Sequence, residues 1–419
     1  MIFKVLASST VSADCGDVAV CGRPFNCPDE GFMNLSGFSA NVCYSNGYDE
    51  DSIDGKLHDY DKNVDRFHRV IGTGHHSIAD HPTITVYMGG ISKMMAMILN
   101  SLGLYATSER SARYTNVAKS ASEHEVALYE KWKKIIGSMI EKLYPDIDKQ
   151  RREKLSMENA RYFISVMNPS TCMVYTTSYR QLSYIAQWFE RFCEYSKESR
   201  SDFIIALRRE MWNMRNAIIE NHVGNLEIED TKDRNIRFLA RQTDDIILDC
   251  DEQFGYSYHV VYKCSFACLA QAQRHRTLNY FMDYTPDDKN PEFYVPPILF
   301  EHENDYLVNE WLKDMKSIAH LIPQGTLVTV HEEGNVHDLV LKSKERLCGR
   351  AQLEIALNTA NTINKITNYS TVPAVTQYLY NTFVCRDVDS GILRAKCQLI
   401  GGCKEPCEFG PIGALSRRI

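Results

Sequence analysis

The sequence runs to 419 residues, with 44% hydrophobic and 24% charged side chains, an ordinary balance for a globular chain of two or three domains. A net charge of −7 argues against non-specific nucleic-acid binding, which needs a basic surface, so a local arginine cluster suits a small anionic ligand better. No run approaches 18 apolar residues, and the opening "MIFKVLASSTVSADC" lacks the long apolar region of a signal peptide, so no membrane span is expected and the chain is read as cytoplasmic.

Residues 1–60 are rich in Gly, Asp, Ser and Cys and read as one strand, "IFKVLAS", followed by loops. "PTITVYMGG" (82–90) alternates like a strand, and "ISKMMAMILNSLG" (91–103) reads as a buried helix stopped by Gly103. An amphipathic helix spans 122–146, opened by a Ser122-x-x-Glu125 capping box and closed by Pro145. A strand at 172–178 and a helix at 179–196 complete the first half. The stretch 210–245, polar and mixed in charge, reads as a connector.

The second half repeats the order. "YSYHVVYKC" (256–264) reads as a strand, "SFACLAQAQRHR" (265–276) as a helix, 303–323 as a long helix, 325–333 as a strand and 335–366 as helical. Aligning the halves by element order sets Ser92 on Ser265 and Ser101 on Arg274. The expected division is a first copy at 1–209, a connector at 210–245, a second copy at 246–384 and a Cys-containing tail at 385–419.

Several clusters carry chemistry. In "SERSARYTN", Glu109, Ser111 and Arg113 alternate and would project one way from an extended segment, offering an acceptor, a hydroxyl and a planar fork suited to a phosphate ester; a solvated polar turn is the other reading. Arg274, His275 and Arg276 end an apolar helix, where fixed charge and bidentate geometry suit a phosphate or an anionic ring, and His275 could donate from a ring nitrogen or titrate near neutral pH. A salt-bridged surface would use the same residues. His75, His76 and His81 follow no familiar ligand spacing. The groups Cys15/Cys21/Cys27/Cys43 and Cys385/Cys397/Cys403/Cys407 lack paired C-x-x-C spacing, so no metal is assigned.

"GHHSIADH", a strand, a buried helix and then "SERSARY" resemble the flavin-dependent thymidylate synthases, whose signature runs R-H-R-x-x-S-x-N-E-x-S-x-R-Y. The first half keeps the end of that signature, Glu109-x-Ser111-x-Arg113-Tyr114, with Ser101, Leu102 and Gly103 where R-H-R belongs. The second half keeps Gln271 and Arg274-His275-Arg276 but has Met282, Tyr284 and Pro286 in place of the Glu, Ser and Arg. Downstream, "ENARYFIS" matches at Arg161 and "SYR" at Arg180, while "NVH" keeps Asn335 and "RLCGRAQLEI" keeps Arg346. Each half lacks what the other retains. Asp80 replaces the Glu of the His segment, which with the other departures leaves the pyrimidine open.

The resemblance implies an α+β fold in two tandem copies, each an antiparallel sheet flanked by long helices. It implies reductive methylation of dUMP to dTMP, with methylenetetrahydrofolate as carbon donor, FAD as hydride carrier and NADPH as reductant. Ser111 and Arg113 would take the nucleotide phosphate, and Gln271 would read the pyrimidine edge. Arg161, Arg274 and Arg346 would flank the nucleotide, and Glu109 would orient the site. His81, Arg180, Arg274, His275, Arg276 and Asn335 would contact flavin. Two chains would form a homodimer resembling the family's tetramer, with sites built jointly from both copies. A related pyrimidine nucleotide, or a catalytically inactive nucleotide-binding relative, are the alternatives.

Overall fold

The computed structural model describes residues 1–8, 29–42, 50–72, 76–102, 105–111, 115, 118–221, 239, 246–251, 255–275, 277–283, 291–301, 306–383, 393–399 and 407–419. In chain order the elements are β1 (Ile2–Ser8), α1 (Asp29–Val42), α2 (Glu50–Leu57), α3 (Tyr60–Gly72), β2 (Thr83–Ile91), α4 (Lys93–Leu99), β3 (Tyr105–Glu109), α5 (Glu123–Leu143), α6 (Lys149–Ala160), β4 (Thr171–Ser178), α7 (Tyr179–Tyr195) and α8 (Asp202–Glu220). They continue as β5 (Ile246–Asp251), β6 (Gly255–Ser265), α9 (Phe266–Ala272), β7 (Asn279–Asp283), α10 (Tyr306–Ser317), β8 (Leu327–Asn335), α11 (Val336–Arg346), α12 (Leu353–Tyr369), α13 (Pro373–Phe383) and α14 (Gly410–Ser416). The class is α+β, as expected. By contacts the chain groups into two units, Met1–Arg110 with Thr171–Ile236 and Ser111–Ser170 with Arg237–Ile419.

In the first unit an antiparallel sheet is ordered β1-β2-β4-β3. Ser92 starts α4 by accepting a hydrogen bond from the Met95 amide at 2.9 Å, and every residue of that helix after Lys93 is buried. The carboxylate of Glu210, on α8, accepts from the Ser92 amide at 2.6 Å and from its hydroxyl. Helices α1 and α2 and the first residue of α3 stand within 1–60, where loops were expected. The interface of α1 with α3 combines an aromatic pair, Phe32 edge to face on Phe67 at 5.4 Å, with small and amide side chains that composition assigns to loops. Phe32, Ser36 and Ala40 form a buried stripe at four-residue spacing. A Cβ at Gly37 would fall 1.9 Å from the Asn63 carbonyl oxygen, so α1 and α3 meet backbone to backbone, and Asn63 Nδ2 donates to Asn34 Oδ1 at 2.8 Å. Part of the expected connector, 210–220, is the second half of α8. Its buried Leu207, Met211, Met214 and Ile218 recur at three to four residues among charges that disguise the stripe.

The second unit repeats the strand order as β5-β6-β8-β7, all antiparallel. Ser265 starts α9 by accepting from the Cys268 amide at 3.0 Å, and the Glu354 carboxylate accepts from the Ser265 amide at 2.7 Å and its hydroxyl at 2.6 Å. The arrangement around Ser92 and Glu210 therefore recurs around Ser265 and Glu354. Ahead of this sheet in sequence, α5 opens with the expected capping box. The Ser122 amide donates to Glu125 Oε2 at 2.8 Å, and the Glu125 amide to Ser122 Oγ at 3.3 Å. Trp132 of α5 meets Trp311 of α10 edge to face at 4.9 Å, and Trp311 meets Phe163 at 4.5 Å, inside a core that also takes Ile136, Ile140 and Met315.

Candidate active site

Arg161 follows the last turn of α6 and is buried, so its guanidinium needs partners within the protein. One nitrogen, Nη2, donates to Gln352 Oε1 at 2.6 Å. Gln271, in the last turn of α9, directs its Nε2 onto the same oxygen. Gln352 in turn gives its own Nε2 to the Tyr162 hydroxyl, which donates to Glu354 Oε2 at 2.8 Å. The chain of bonds runs from Arg161 and Gln271 through Gln352 and Tyr162 to Glu354, and ends on Ser265 at the start of α9. Burial raises the Glu354 carboxyl, while donors from Ser265 and Tyr162 and the nearby Arg161 charge pull it back down. Among the described residues, Gln271 Oε1, buried beside Arg161's amide partner, has no hydrogen-bond partner.

Arg346 closes α11 and turns the same way. Its Nε donates to His275 Nε2 at 2.6 Å and its Nη2 approaches the Gln271 carbonyl at 3.5 Å. His275 therefore accepts through Nε2 and carries its proton on Nδ1. Burial, then the charges of Arg346 and Lys342, push its pKa down to about 3. This corrects the expectation of a ring titrating near neutrality: His275 is a neutral donor through Nδ1. The sign of the linked stability follows. Between pH 6.5 and about 3 the unfolded chain binds a proton that the folded chain refuses, so this contribution falls as pH is lowered through that window. His275→Gln keeps an acceptor for Arg346 and cannot titrate. It is expected to flatten that acid limb in urea unfolding measured from pH 7 to pH 4, and an unchanged limb would contradict the assignment.

The other expected site residues are placed as follows. Arg274 is exposed at the end of α9. Ser111 is half-buried, and its carbonyl accepts from Thr115 Oγ1 at 2.7 Å. Asn335 caps α11, its Oδ1 accepting from the His337 amide at 2.7 Å. In the first unit, Glu109 at the end of β3 has a side chain only 2% exposed. It pairs with Lys93 and accepts from Asn100 Nδ2 at 3.3 Å. Arg180 is ion-paired to Asp80, with Nε donating to Oδ1 at 2.9 Å, and lies over the Tyr184 ring at 5.7 Å. The Asp that departs from the family's Glu is thus the partner of that arginine. His81 is exposed. Arg113, Arg276, His75, the N-terminal cysteine group and, of the C-terminal group, Cys385 and Cys403 lie outside the described residues. Sequence reasoning missed Tyr162, Gln352 and Glu354 as site-forming groups, although the last two stand in the "RAQLEI" motif beside Arg346 and Tyr162 adjoins Arg161.

Comparison with known proteins places the chain. The family model described as thymidylate synthase complementing protein matches residues 31–194, which include the first-half motifs. No curated protein matches. Among solved structures, a flavin-dependent thymidylate synthase ThyX from Helicobacter pylori, complexed with FAD and dUMP, is 16% identical, with a TM-score of 0.28 over 53% of this chain and 93% of its own. A second Helicobacter pylori thymidylate synthase X structure with FAD and dUMP gives 16% identity and a TM-score of 0.29 over the same shares.

Proposed function

We propose that the chain is a flavin-dependent thymidylate synthase that converts dUMP to dTMP, with its nucleotide site assembled from both halves of one polypeptide. One observation carries this reading. Arg161 from the first half and Gln271 from the second converge on a single acceptor, Gln352 Oε1, although 110 residues apart in sequence. Each half has lost the motif that the other contributes here, which suits a tandem duplication whose copies divide one site. The common strand order of the two sheets and the repeated serine–glutamate arrangement support the same origin.

In this reading Gln271 turns its unfilled Oε1 to the pyrimidine N3–H, and Arg161 and Arg346 supply positive charge beside the uracil carbonyls or the phosphate. Ser111 and Arg113 take the phosphate. Fixed, preorganised donors stabilise negative charge developing on the ring without reorganising during the reaction. The donors at the end of α9 fit a flavin in kind: the exposed guanidinium of Arg274 and the Nδ1–H of a neutral His275 suit an anionic ring or a diphosphate, and Arg276 is the next residue in sequence. Asn335, which already accepts from the His337 amide, would add to the hold only through its remaining donors. FAD, when bound, supplies the hydride drawn from NADPH, and methylenetetrahydrofolate supplies the carbon. Two chains would pair as a homodimer.

The test is direct. Purified protein should be yellow, bleach on NADPH, and release tritium from 5-labelled dUMP but not from dCMP or UMP. Release from another pyrimidine nucleotide would reassign the substrate. A colourless protein that releases none would leave a nucleotide-binding relative.

A further inference from the structure

The six residues Leu347–Gln352 join α11 to α12. Both ends of this loop touch the proposed site: Arg346 precedes it, bonded to His275, and Gln352 ends it, bonded to Arg161, Gln271 and Tyr162. A loop that must fix two such groups has main-chain carbonyls to satisfy; those of Leu347, Cys348 and Gln352 accept from the Lys396, Ala351 and Ala356 amides at 2.7, 3.0 and 3.2 Å. The loop is also gripped from the segment 407–419, which supplies the donor for the Ala351 carbonyl. Arg417 Nη2 donates to the Ala351 carbonyl at 2.6 Å, and Nη1 reaches the Cys348 carbonyl at 3.5 Å. The same guanidinium is tied at its other edge to the Ala414 carbonyl and to the Ile419 main-chain oxygen, the latter at 2.6 Å.

The segment is itself anchored. Arg151 pairs with Glu408, Phe409 meets the Tyr144 ring edge-on at 5.7 Å, and the Arg418 amide donates to the Tyr144 hydroxyl at 3.1 Å. It also presses on the loop, since a Cβ added to Gly349 would lie 2.8 Å from Cys407 Sγ. Arg417 is 5% exposed and lies over the Phe409 ring at 5.3 Å. Burial lowers its pKa to about 10, which leaves it charged at neutral pH. A buried planar fork that satisfies carbonyls on two sides is a rigid link, which a flexible point charge cannot reproduce.

We propose that Arg417 is a positioning residue: it clasps the Leu347–Gln352 loop so that Gln352 holds Arg161 and Gln271 in nucleotide-binding geometry. This rests on the nucleotide site proposed above. The proposal also gives a role to the C-terminal part of the chain that the motifs left unexplained.

The experiment compares wild type, Arg417→Met and Arg417→Lys for dUMP affinity by calorimetry, for KM and kcat, and for amide hydrogen exchange at 347–352. With native circular dichroism retained, Arg417→Met should raise Kd and KM for dUMP roughly tenfold to a hundredfold, since small misplacements of binding groups cost on that order. Its kcat should change much less, exchange should quicken in the loop, and Arg417→Lys should recover part of the affinity. If Arg417→Met does not fold, Gly349→Ala, which pushes the segment off the loop, takes its place under the same criteria. A folded variant with wild-type KM, Kd and loop exchange overturns the proposal. Wild type that binds no dUMP overturns the site reading itself, and the clasp with it.

Discussion

Glu354→Ala is expected to lower the stability of the 111–170/237–419 unit by about 3–5 kcal/mol, the largest effect of any single change in the site. Its carboxylate accepts from the Ser265 amide, the Ser265 hydroxyl and the Tyr162 hydroxyl, all in the interior. Removing it orphans three donors at once, and each buried orphan costs about 1–3 kcal/mol, partly offset because the carboxylate's own desolvation is relieved. Glu354→Gln keeps the shape but sets an amide N–H against one donor, so a smaller loss of about 1–2 kcal/mol is expected. Urea unfolding followed by tryptophan fluorescence reads this well, because Trp132 and Trp311 are fully buried in the same unit. An Ala variant within about 1 kcal/mol of wild type, the smallest loss one orphaned group gives, would mean that the chain from Arg161 to Ser265 is not what holds this region.

Arg161→Ala is expected to lose dUMP turnover by at least about a hundredfold, since removing the charged partner of a buried hydrogen bond costs on the order of 2–5 kcal/mol, and Gln271→Ala by roughly tenfold to a hundredfold, since a neutral hydrogen bond left unmade costs about 1–3 kcal/mol. The informative step is to mix the two impaired proteins under conditions that allow subunit exchange. Both groups converge on Gln352 within one chain, so neither mixed subunit carries a complete pair and no activity should return. Recovery to a measurable fraction of wild type would show that the productive pairing lies between chains. Intact, exchanged oligomers in native mass spectrometry are the required control.

Much of the frame was legible in the sequence. Alternation marked β2 and β6, short apolar runs marked β4 and β8, and the helices α4 and α9 stood out as small or apolar runs after Ser92 and Ser265, broken only by Lys93 and Gln271. The capping box of α5 was readable because both its bonds are local, three residues apart. What escaped was structure whose few large apolar side chains are interleaved with small and amide ones. Helix α1 packs through Gly37, Ser36 and Asn34, residues that composition alone assigns to loops. The five-residue strands β3 and β7 are too short for period to declare them. At the site, motifs named Arg161, Gln271 and Arg346 and their division between the halves. They did not reveal Gln352 as the joint acceptor, because its bonds to Tyr162 and Arg161 span about 190 residues and no local pattern encodes such a contact. The acid-insensitive state of His275 was hidden for the same reason, since its burial and its neighbour Arg346 are tertiary facts.

The serine–glutamate arrangement at the start of α4 stops with Ser92, where Glu210 does no more than tether one helix to another. At α9 the same arrangement continues outward, because Glu354 also accepts a hydrogen bond from the Tyr162 hydroxyl and so reaches Gln352 and Arg161. In the proposed nucleotide site, the fastening at α9 is also the footing of Arg161. The two glutamates therefore sit under unequal constraint: one answers only to folding, while drift at the other would have to satisfy folding and recognition together.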